Sequence, residues 1–129
     1  GDIIDLIIKT EELSKKTNGL KVNICLNYGG RDEIVRAVQT IVQLAKKGKI
    51  RPEEINENVF SRYLYTAGIP DPDLIIRPSG EVRISNFLLW QSAYSEYYFT
   101  DILWPDFDER EIDRAIHSYQ NRSRRFGGI

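Results

Sequence analysis

Apolar residues recur at intervals of three and four along several stretches of the chain, a spacing that is typical of amphipathic helices. The predicted helices cover residues 3–16, 32–47 and 108–122. A further helix is predicted to begin at Pro52 and to end at Gly68. Proline suits the first position of a helix because it has no N–H group that needs a partner there.

The helix over residues 32–47 has a clear division between its faces. Asp32 and Glu33 are interpreted as first-turn residues that favour the positive end of the helix dipole. Its predicted buried stripe is apolar throughout and consists of Ile34, Val35, Val38, Ile41, Val42 and Ala45.

Other stretches carry the patterns of strands. Residues 20–26 alternate between apolar and polar side chains, and Cys25 is interpreted as a small residue of this strand and not as a nucleophile. Residues 74–76 are apolar on both faces, which predicts a central parallel strand, and residues 97–102 are rich in strand-forming side chains. The alternation of helices and strands predicts an α/β fold, a parallel sheet flanked by helices, within one domain over residues 1–129.

The loop after the strand at 74–76 carries the candidate chemistry. Arg77 ends the strand, and Arg83 and Ser85 follow within a short segment that contains Gly80. Ser85 is predicted to cap a new helix, so that helix N–H groups, a hydroxyl and two arginines would converge on an anion. Arginines near a turn are as often a solvated rim that forms surface ion pairs, and this alternative stays open.

Composition narrows the classes of function. The chain has 129 residues, 18 basic and 19 acidic, and a net charge of −1, which does not favour nucleic-acid binding. A single cysteine cannot form an internal disulfide, and no apolar run approaches the roughly 20 residues of a membrane span. Together with the absence of a signal-peptide pattern, these features predict a cytoplasmic protein.

The segment from Ile76 to Phe107 also resembles a known family. Its sequence IRPSGEVRISNFLLWQ, followed by Ala93, Tyr94, Glu96 and then WPDF, is similar to the late motifs of the cis-prenyltransferases, of the bacterial undecaprenyl diphosphate synthase type. The NYGGR segment at 27–31 and RRFGG at 124–128 resemble the same family. The resemblance spans nearly the whole chain.

This resemblance implies cis-prenyl chain elongation, in which isopentenyl diphosphate condenses onto an allylic diphosphate such as farnesyl diphosphate. The implied product is a long-chain polyprenyl (undecaprenyl) diphosphate, a membrane lipid carrier for cell wall biogenesis. The resemblance therefore also implies membrane association through the product. Mg²⁺ is the implied cofactor. Homodimerisation is implied through the region from Tyr97 to Phe107 and through the C-terminal tail.

The resemblance also assigns roles to individual positions. Isopentenyl diphosphate binding falls to Arg77, Arg83 and Ser85. Glu96 matches a carboxylate associated with the metal, and Asn27, Arg31 and Glu81 are assigned supporting roles. In the C-terminal tail, Arg125 and Gly127 match residues that reach the diphosphate of the partner subunit.

Two features depart from the family pattern. Val82 stands where some relatives carry a histidine near the metal, and valine can neither bind a metal nor transfer a proton. The opening motif of the family, with its catalytic aspartate, is absent, so the chain is predicted to be the C-terminal half of the enzyme, with no catalytic residue of its own and inactive alone. A non-catalytic accessory subunit and a phosphate-binding α/β module are the alternatives.

Overall fold

A computed structural model describes residues 2–122 and shows helices packed around a parallel pair of strands. The helices are α1 (Asp2–Ser14), α2 (Gly30–Lys46), α3 (Glu57–Ser61) and α4 (Glu109–Gln120), and the strands are β1 (Leu74–Arg77) and β2 (Glu96–Phe99). Single 3₁₀ turns occupy Pro52–Glu54 and Trp104–Asp106. No helix within residues 2–122 combines the length and the apolar character needed to cross a membrane.

The two strands run parallel, with Leu74 opposite Glu96 and Arg77 opposite Phe99. Helix α4 is fixed to β2 by polar contacts of the buried Glu111, whose carboxylate accepts a 2.9 Å hydrogen bond from Tyr98 Oη. Hydrogen bonds from Thr100 and Tyr98 lower the pKa of this carboxyl, and Arg114 lowers it further. The predicted parallel sheet with flanking helices is confirmed.

Residues 20–26 were predicted to form a strand, and this prediction is wrong for the structure described. The segment has no regular secondary structure, and Cys25 is exposed and not part of a sheet. The alternation of side chains is a local property, whereas a strand also needs a neighbour that accepts and donates its backbone hydrogen bonds. No such neighbour lies beside this segment among the residues described.

The predicted helix from Ser85 is also wrong. Ser85, Asn86 and Leu88 have φ angles of 46°, 65° and 47°, which no right-handed helix contains. The backbone instead bonds to distant elements: Asn86 O accepts a 2.8 Å hydrogen bond from Gly30 N. A tertiary hydrogen bond therefore occupies the Asn86 carbonyl that a helix would have used internally, and Ser85 caps no helix.

The helix predicted between Pro52 and Gly68 is much shorter than expected. Pro52 begins only the 3₁₀ turn, and the next helix, α3, begins afresh after Asn56. The Asn56 side chain accepts a 3.0 Å hydrogen bond from Val59 N and so caps α3. This cap explains why one predicted helix is divided into two short pieces.

The described chain has a small apolar core, whose buried members are Ala37, Ile41, Leu64 and Ala115. Close backbone packing supplements it where the start of α2 meets the loop at 85–89. A Cβ atom at Gly30 would lie 2.9 Å from Leu89 Cγ and 3.1 Å from both Leu89 N and Asn86 O. Only glycine allows this approach without displacing backbone atoms.

Replacement of Gly30 by alanine is therefore expected to lower the free energy of unfolding by about 1–3 kcal/mol through overpacking. Gly19→Ala is the matched control, because a Cβ there meets nothing within 4 Å. Urea titrations followed by tryptophan fluorescence measure both variants. Equal stability of the two would contradict the close contact between α2 and the 85–89 loop.

Candidate functional site

Arg77, Arg83 and Ser85 come together at the carboxyl end of β1. Arg77 Nη1 donates to Ser85 Oγ at 3.0 Å and to the backbone oxygen of Arg83 at 2.5 Å. The head of Arg83 forms a 2.5 Å ion pair with Glu81. Arg77 is half-buried, whereas Arg83 and Ser85 are exposed. A half-buried cation thus holds the loop so that a second cation and a hydroxyl lie nearby at the surface.

The first part of this loop is fixed to the chain that follows β2. Ser79 N donates to Ile102 O at 2.8 Å, and Gly80 N donates to Thr100 O at 2.9 Å. Ser79 and Gly80 have φ angles of 73° and 68°, so the chain turns sharply here. The loop that carries the arginines is therefore held at both of its ends, which reduces the conformational entropy that ligand binding would cost.

Asn86 joins the loop to the N-terminus of α2. Besides the bond from Gly30 N to its backbone oxygen, its side-chain Oδ1 accepts a 2.9 Å hydrogen bond from Arg31 N. Helix α2 has no side-chain cap at Gly29, so Asn86 satisfies N–H groups that helix geometry leaves unpaired. These contacts place the start of α2, including Arg31, beside the arginine loop.

A buried carboxylate, which the sequence reasoning missed, connects three segments behind this loop. Glu33 is fully buried and accepts hydrogen bonds from Tyr28 Oη at 2.5 Å, Tyr65 N at 2.6 Å and Gln91 Nε2 at 3.2 Å. The available signal was its spacing, since Glu33 lies four residues before Ala37 and on the same buried face.

An apolar cleft adjoins the arginines. Its volume is about 200 Å³, and Arg77 and Arg83 line it together with apolar and aromatic residues of β1, β2 and the loop. Those residues are Ile75, Ile76, Ile84, Phe87, Tyr97 and Phe99. The arrangement combines fixed positive charge with an apolar surface, as a ligand with an anionic head and a short hydrocarbon tail requires.

Glu96 does not join this cluster. It begins β2 opposite Leu74, whereas Arg77 lies at the other end of the strand pair, about 10 Å away at the usual rise of a strand. Its carboxylate accepts from Arg122 Nη1 at 2.7 Å. Within residues 2–122, no group of three or more His, Cys, Asp or Glu residues is placed to hold a metal ion. The described residues therefore do not fit a complete Mg²⁺ site.

Among the remaining predicted site residues, Asn27 does not line the apolar cleft, and two others lie outside the described residues. Asn27 has a φ of 51° and lines a second cavity of about 350 Å³, together with Tyr28, Asp32 and Leu88. Arg125 and Gly127 lie outside the described residues.

Tyr28 makes the stability that the Glu33 cluster contributes depend on pH. Burial, and then its hydrogen bond to Glu33, raise the pKa of the Tyr28 hydroxyl well above its ordinary value of about 10. Above this pH the folded chain retains a proton that the unfolded chain loses. The contribution of the protonated Tyr28 hydroxyl to the free energy of unfolding is therefore complete below about pH 10, and it is lost as the pH rises further.

Tyr28→Phe is thus expected to flatten the decline of the unfolding free energy between about pH 10 and pH 11.5. Near neutral pH the same variant should be less stable by about 1 kcal/mol, through loss of the bond to Glu33. Urea titrations at several pH values measure both effects. An unchanged alkaline slope would show that Tyr28 does not retain its proton.

Comparison with known proteins identifies relatives that are longer than this chain. A family model described as "Putative undecaprenyl diphosphate synthase" matches residues 1–127. The isoprenyl transferase of Clostridium perfringens is 55% identical over 95% of this chain and 49% of its own length. That of Heliobacterium mobile is 61% identical over 85% of this chain and 42% of its own length. The chain spans about half the length of the curated relatives that it matches.

Solved structures give the same result. Lavandulyl diphosphate synthase from Lavandula x intermedia, crystallised in complex with dimethylallyl diphosphate, superposes with a TM-score of 0.91 at 42% identity. The match covers 96% of this chain and 53% of that one. An enzyme from Campylobacter jejuni described as a probable undecaprenyl diphosphate synthase superposes with a TM-score of 0.81 at 37% identity, covering 98% of this chain and 57% of its own.

Proposed function

Because the chain belongs to the cis-prenyltransferase family, we propose that it supplies the isopentenyl diphosphate site of an enzyme that lengthens an allylic diphosphate by cis-prenyl transfer. The proposal treats residues 1–129 as the C-terminal part of one catalytic domain. Undecaprenyl diphosphate is the proposed product and farnesyl diphosphate the proposed primer. Both assignments come from the resemblance of the motifs to those of the family.

One observation carries the proposal. Arg77 contacts both Ser85 and the backbone of Arg83, and the two arginines line the apolar cleft. Isopentenyl diphosphate has a strongly anionic diphosphate head and a five-carbon tail, so it needs forked cationic donors next to a small apolar space. Arginine matches the phosphate oxygens in geometry as well as charge. The position at the carboxyl end of a parallel strand is also where α/β sheets usually bind their ligands.

The proposed role of these residues is positional. In prenyl transfer an allylic diphosphate ionises, the isopentenyl double bond attacks the resulting carbocation, and a proton leaves to give the cis double bond. Arg77, Arg83 and Ser85 would hold the isopentenyl diphosphate head, while the cleft excludes water from its tail and orients the double bond. None of these three residues is proposed to assist ionisation of the allylic diphosphate. The chain alone is therefore proposed to bind isopentenyl diphosphate without catalysing its condensation.

Two further assignments rest on the resemblance. Mg²⁺ is proposed as the cofactor, although the described residues do not form a complete site for it. A homodimer through residues 97–107 is proposed with support from Leu103 and Trp104, which are 58% and 70% exposed. Sedimentation equilibrium of Trp104→Ala against the unmodified chain tests it, since loss of this contact should shift the chain to monomer.

Calorimetric titration of the chain with isopentenyl diphosphate tests the proposed site, with inorganic pyrophosphate as the comparison ligand. We expect isopentenyl diphosphate to bind at least about tenfold more tightly, because its tail enters the apolar cleft. Arg83→Gln should weaken binding, whereas Arg110→Gln, an exposed arginine on α4, should not. Equal affinity for the two ligands would instead indicate a general phosphate-binding module, and no binding of either would contradict the proposed site.

A further inference from the structure

Asn86 bonds to the start of helix α2 through its backbone and through its side chain. Its backbone oxygen accepts from Gly30 N at 2.8 Å, and its Oδ1 accepts from Arg31 N at 2.9 Å. These are two of the N–H groups that a helix start leaves without intrahelical partners. Since Gly29 has no side chain with which to cap α2, Asn86, 55 residues after Arg31, performs that role.

The contact is closely packed as well as hydrogen-bonded. A Cβ atom at Gly29 would lie 3.0 Å from Asn86 Nδ2, so the glycine leaves the space that the amide occupies. With Nδ2 against Gly29 and Oδ1 on the N–H of Arg31, the Asn86 amide contacts the start of α2 through both of its polar atoms. The orientation of Asn86 is therefore set by α2.

The turn that contains Asn86 has an unfavourable backbone conformation. Ser85 and Asn86 have φ angles of 46° and 65°, which lie in the left-handed region that residues with a Cβ atom avoid. Such a conformation persists only where the surrounding structure enforces it. Asparagine tolerates it better than serine does, so Ser85 depends more on its surroundings. The bonds from Asn86 to α2 act directly on this turn, because they lie one residue beyond Ser85.

Ser85 is the residue that meets the half-buried arginine. Arg77 Nη1 donates to Ser85 Oγ at 3.0 Å and to the backbone oxygen of Arg83. A return of the Ser85 φ angle to the usual negative range would turn its side chain relative to the preceding chain and take the hydroxyl away from Arg77. The alignment of hydroxyl and guanidinium thus depends on the left-handed turn.

A second link to α2 limits the influence of Asn86 to this turn. Gln91 Nε2 donates to Glu33 Oε2 at 3.2 Å, so the chain after the turn is attached to α2 independently of Asn86. Loss of the Asn86 side chain leaves this bond in place. It should therefore free the turn at Ser85 without releasing the segment that follows.

We propose that Asn86 is a positioning residue for the isopentenyl diphosphate site. By bonding to the start of α2, it holds Ser85 in the left-handed conformation in which the hydroxyl meets Arg77. The Asn86 amide is engaged with α2, so it acts on the ligand through Ser85 and Arg77. The identity of the ligand rests on the proposed function, whereas the effect of Asn86 on Ser85 does not.

Asn86→Gly removes the side-chain acceptor and adds no strain, since glycine adopts a φ of 65° freely. In calorimetric titrations of the 129-residue chain, we expect this variant to bind isopentenyl diphosphate about tenfold more weakly, because the donors are no longer aligned. Asn56→Gly is the matched control, since it also removes an asparagine Oδ1 that caps a helix, the acceptor for Val59 N. It should bind within about twofold of the unmodified chain. Equal binding by the two variants would overturn the proposal.

Carbon chemical shifts of Ser85 separate this proposal from that of the ligand, because they depend on φ and are measured without ligand. The Cα and Cβ shifts should leave the left-handed range in Asn86→Gly. They should stay there in Asn86→Asp, which keeps an acceptor for Arg31 N, and in Asn56→Gly. Unchanged Ser85 shifts in Asn86→Gly would overturn the positioning role. Failure of the unmodified chain to bind isopentenyl diphosphate would instead contradict the proposed site.

Discussion

Arg77→Gln is expected to weaken the binding of isopentenyl diphosphate by about 100-fold, because a charge-assisted hydrogen bond contributes about 1.5–3 kcal/mol and two effects combine here. The variant removes a cation that is proposed to bind the diphosphate. It also removes the donor that holds Ser85 Oγ and the backbone oxygen of Arg83. Calorimetric titration measures the change in Kd.

Two controls make this result interpretable. Arg77→Lys keeps the charge but not the forked donors, so its binding should fall between that of the wild type and that of the glutamine variant. Arg62→Gln neutralises an exposed arginine outside the site and should bind as the wild type does. Binding by Arg77→Gln that is as tight as that of Arg62→Gln would show that Arg77 holds no ligand.

Glu33→Ala is expected to lower the free energy of unfolding by about 3–5 kcal/mol, since it leaves several buried donors without an acceptor. The donors are Tyr28 Oη, Tyr65 N and Gln91 Nε2, and they belong to three different segments of the chain. For a chain of this size such a loss is a large share of the total stability. Thermal and urea unfolding measure it.

Glu33→Gln retains the shape of the side chain but only one acceptor oxygen, so its loss of stability should be smaller than that of the alanine variant. Glu53→Ala removes an exposed carboxylate from the 3₁₀ turn and should cost less than about 0.5 kcal/mol. A stability loss for Glu33→Ala no greater than that of Glu53→Ala would contradict the role of Glu33 as a link between segments.

Local patterns predicted the elements whose partners are near in sequence or whose ends carry their own signals. Helices α1, α2 and α4 follow the predicted ranges closely, and β1 begins and pairs in parallel as expected. Its predicted central position is not seen among the described residues, where β1 pairs with β2 alone. The strand predicted over residues 20–26 is absent because a strand depends on a neighbouring strand, and the described chain supplies none. The buried face predicted for α2 is wrong in part, since Val35, Val38 and Val42 are 55%, 47% and 44% exposed. The reason is related, because burial of a helix face also depends on a neighbouring element.

In the candidate site, too, the sequence predicted what lies close together along the chain and missed the contacts between distant segments. Arg77, Arg83 and Ser85 are close in sequence, and a short loop brings them together. The helix expected at Ser85 failed because Asn86 bonds to Gly30 and Arg31, more than fifty residues earlier in the chain, and no local pattern reveals that contact. Glu33 was assigned to the helix dipole, although it is fully buried, because polarity alone places a carboxylate at the surface.

The proposed site is tested most directly by incorporation of labelled isopentenyl diphosphate, with farnesyl diphosphate and Mg²⁺ present. The assay mixes the 129-residue chain with a polypeptide that carries the half of the Clostridium perfringens isoprenyl transferase that this chain does not match. We expect incorporation only when the 129-residue chain and the unmatched half of its relative are combined. Incorporation should be lost with Arg77→Gln and retained with Arg62→Gln. An assembled pair that incorporates nothing, or that incorporates equally well with Arg77→Gln, would contradict the claim that this chain supplies the isopentenyl diphosphate site.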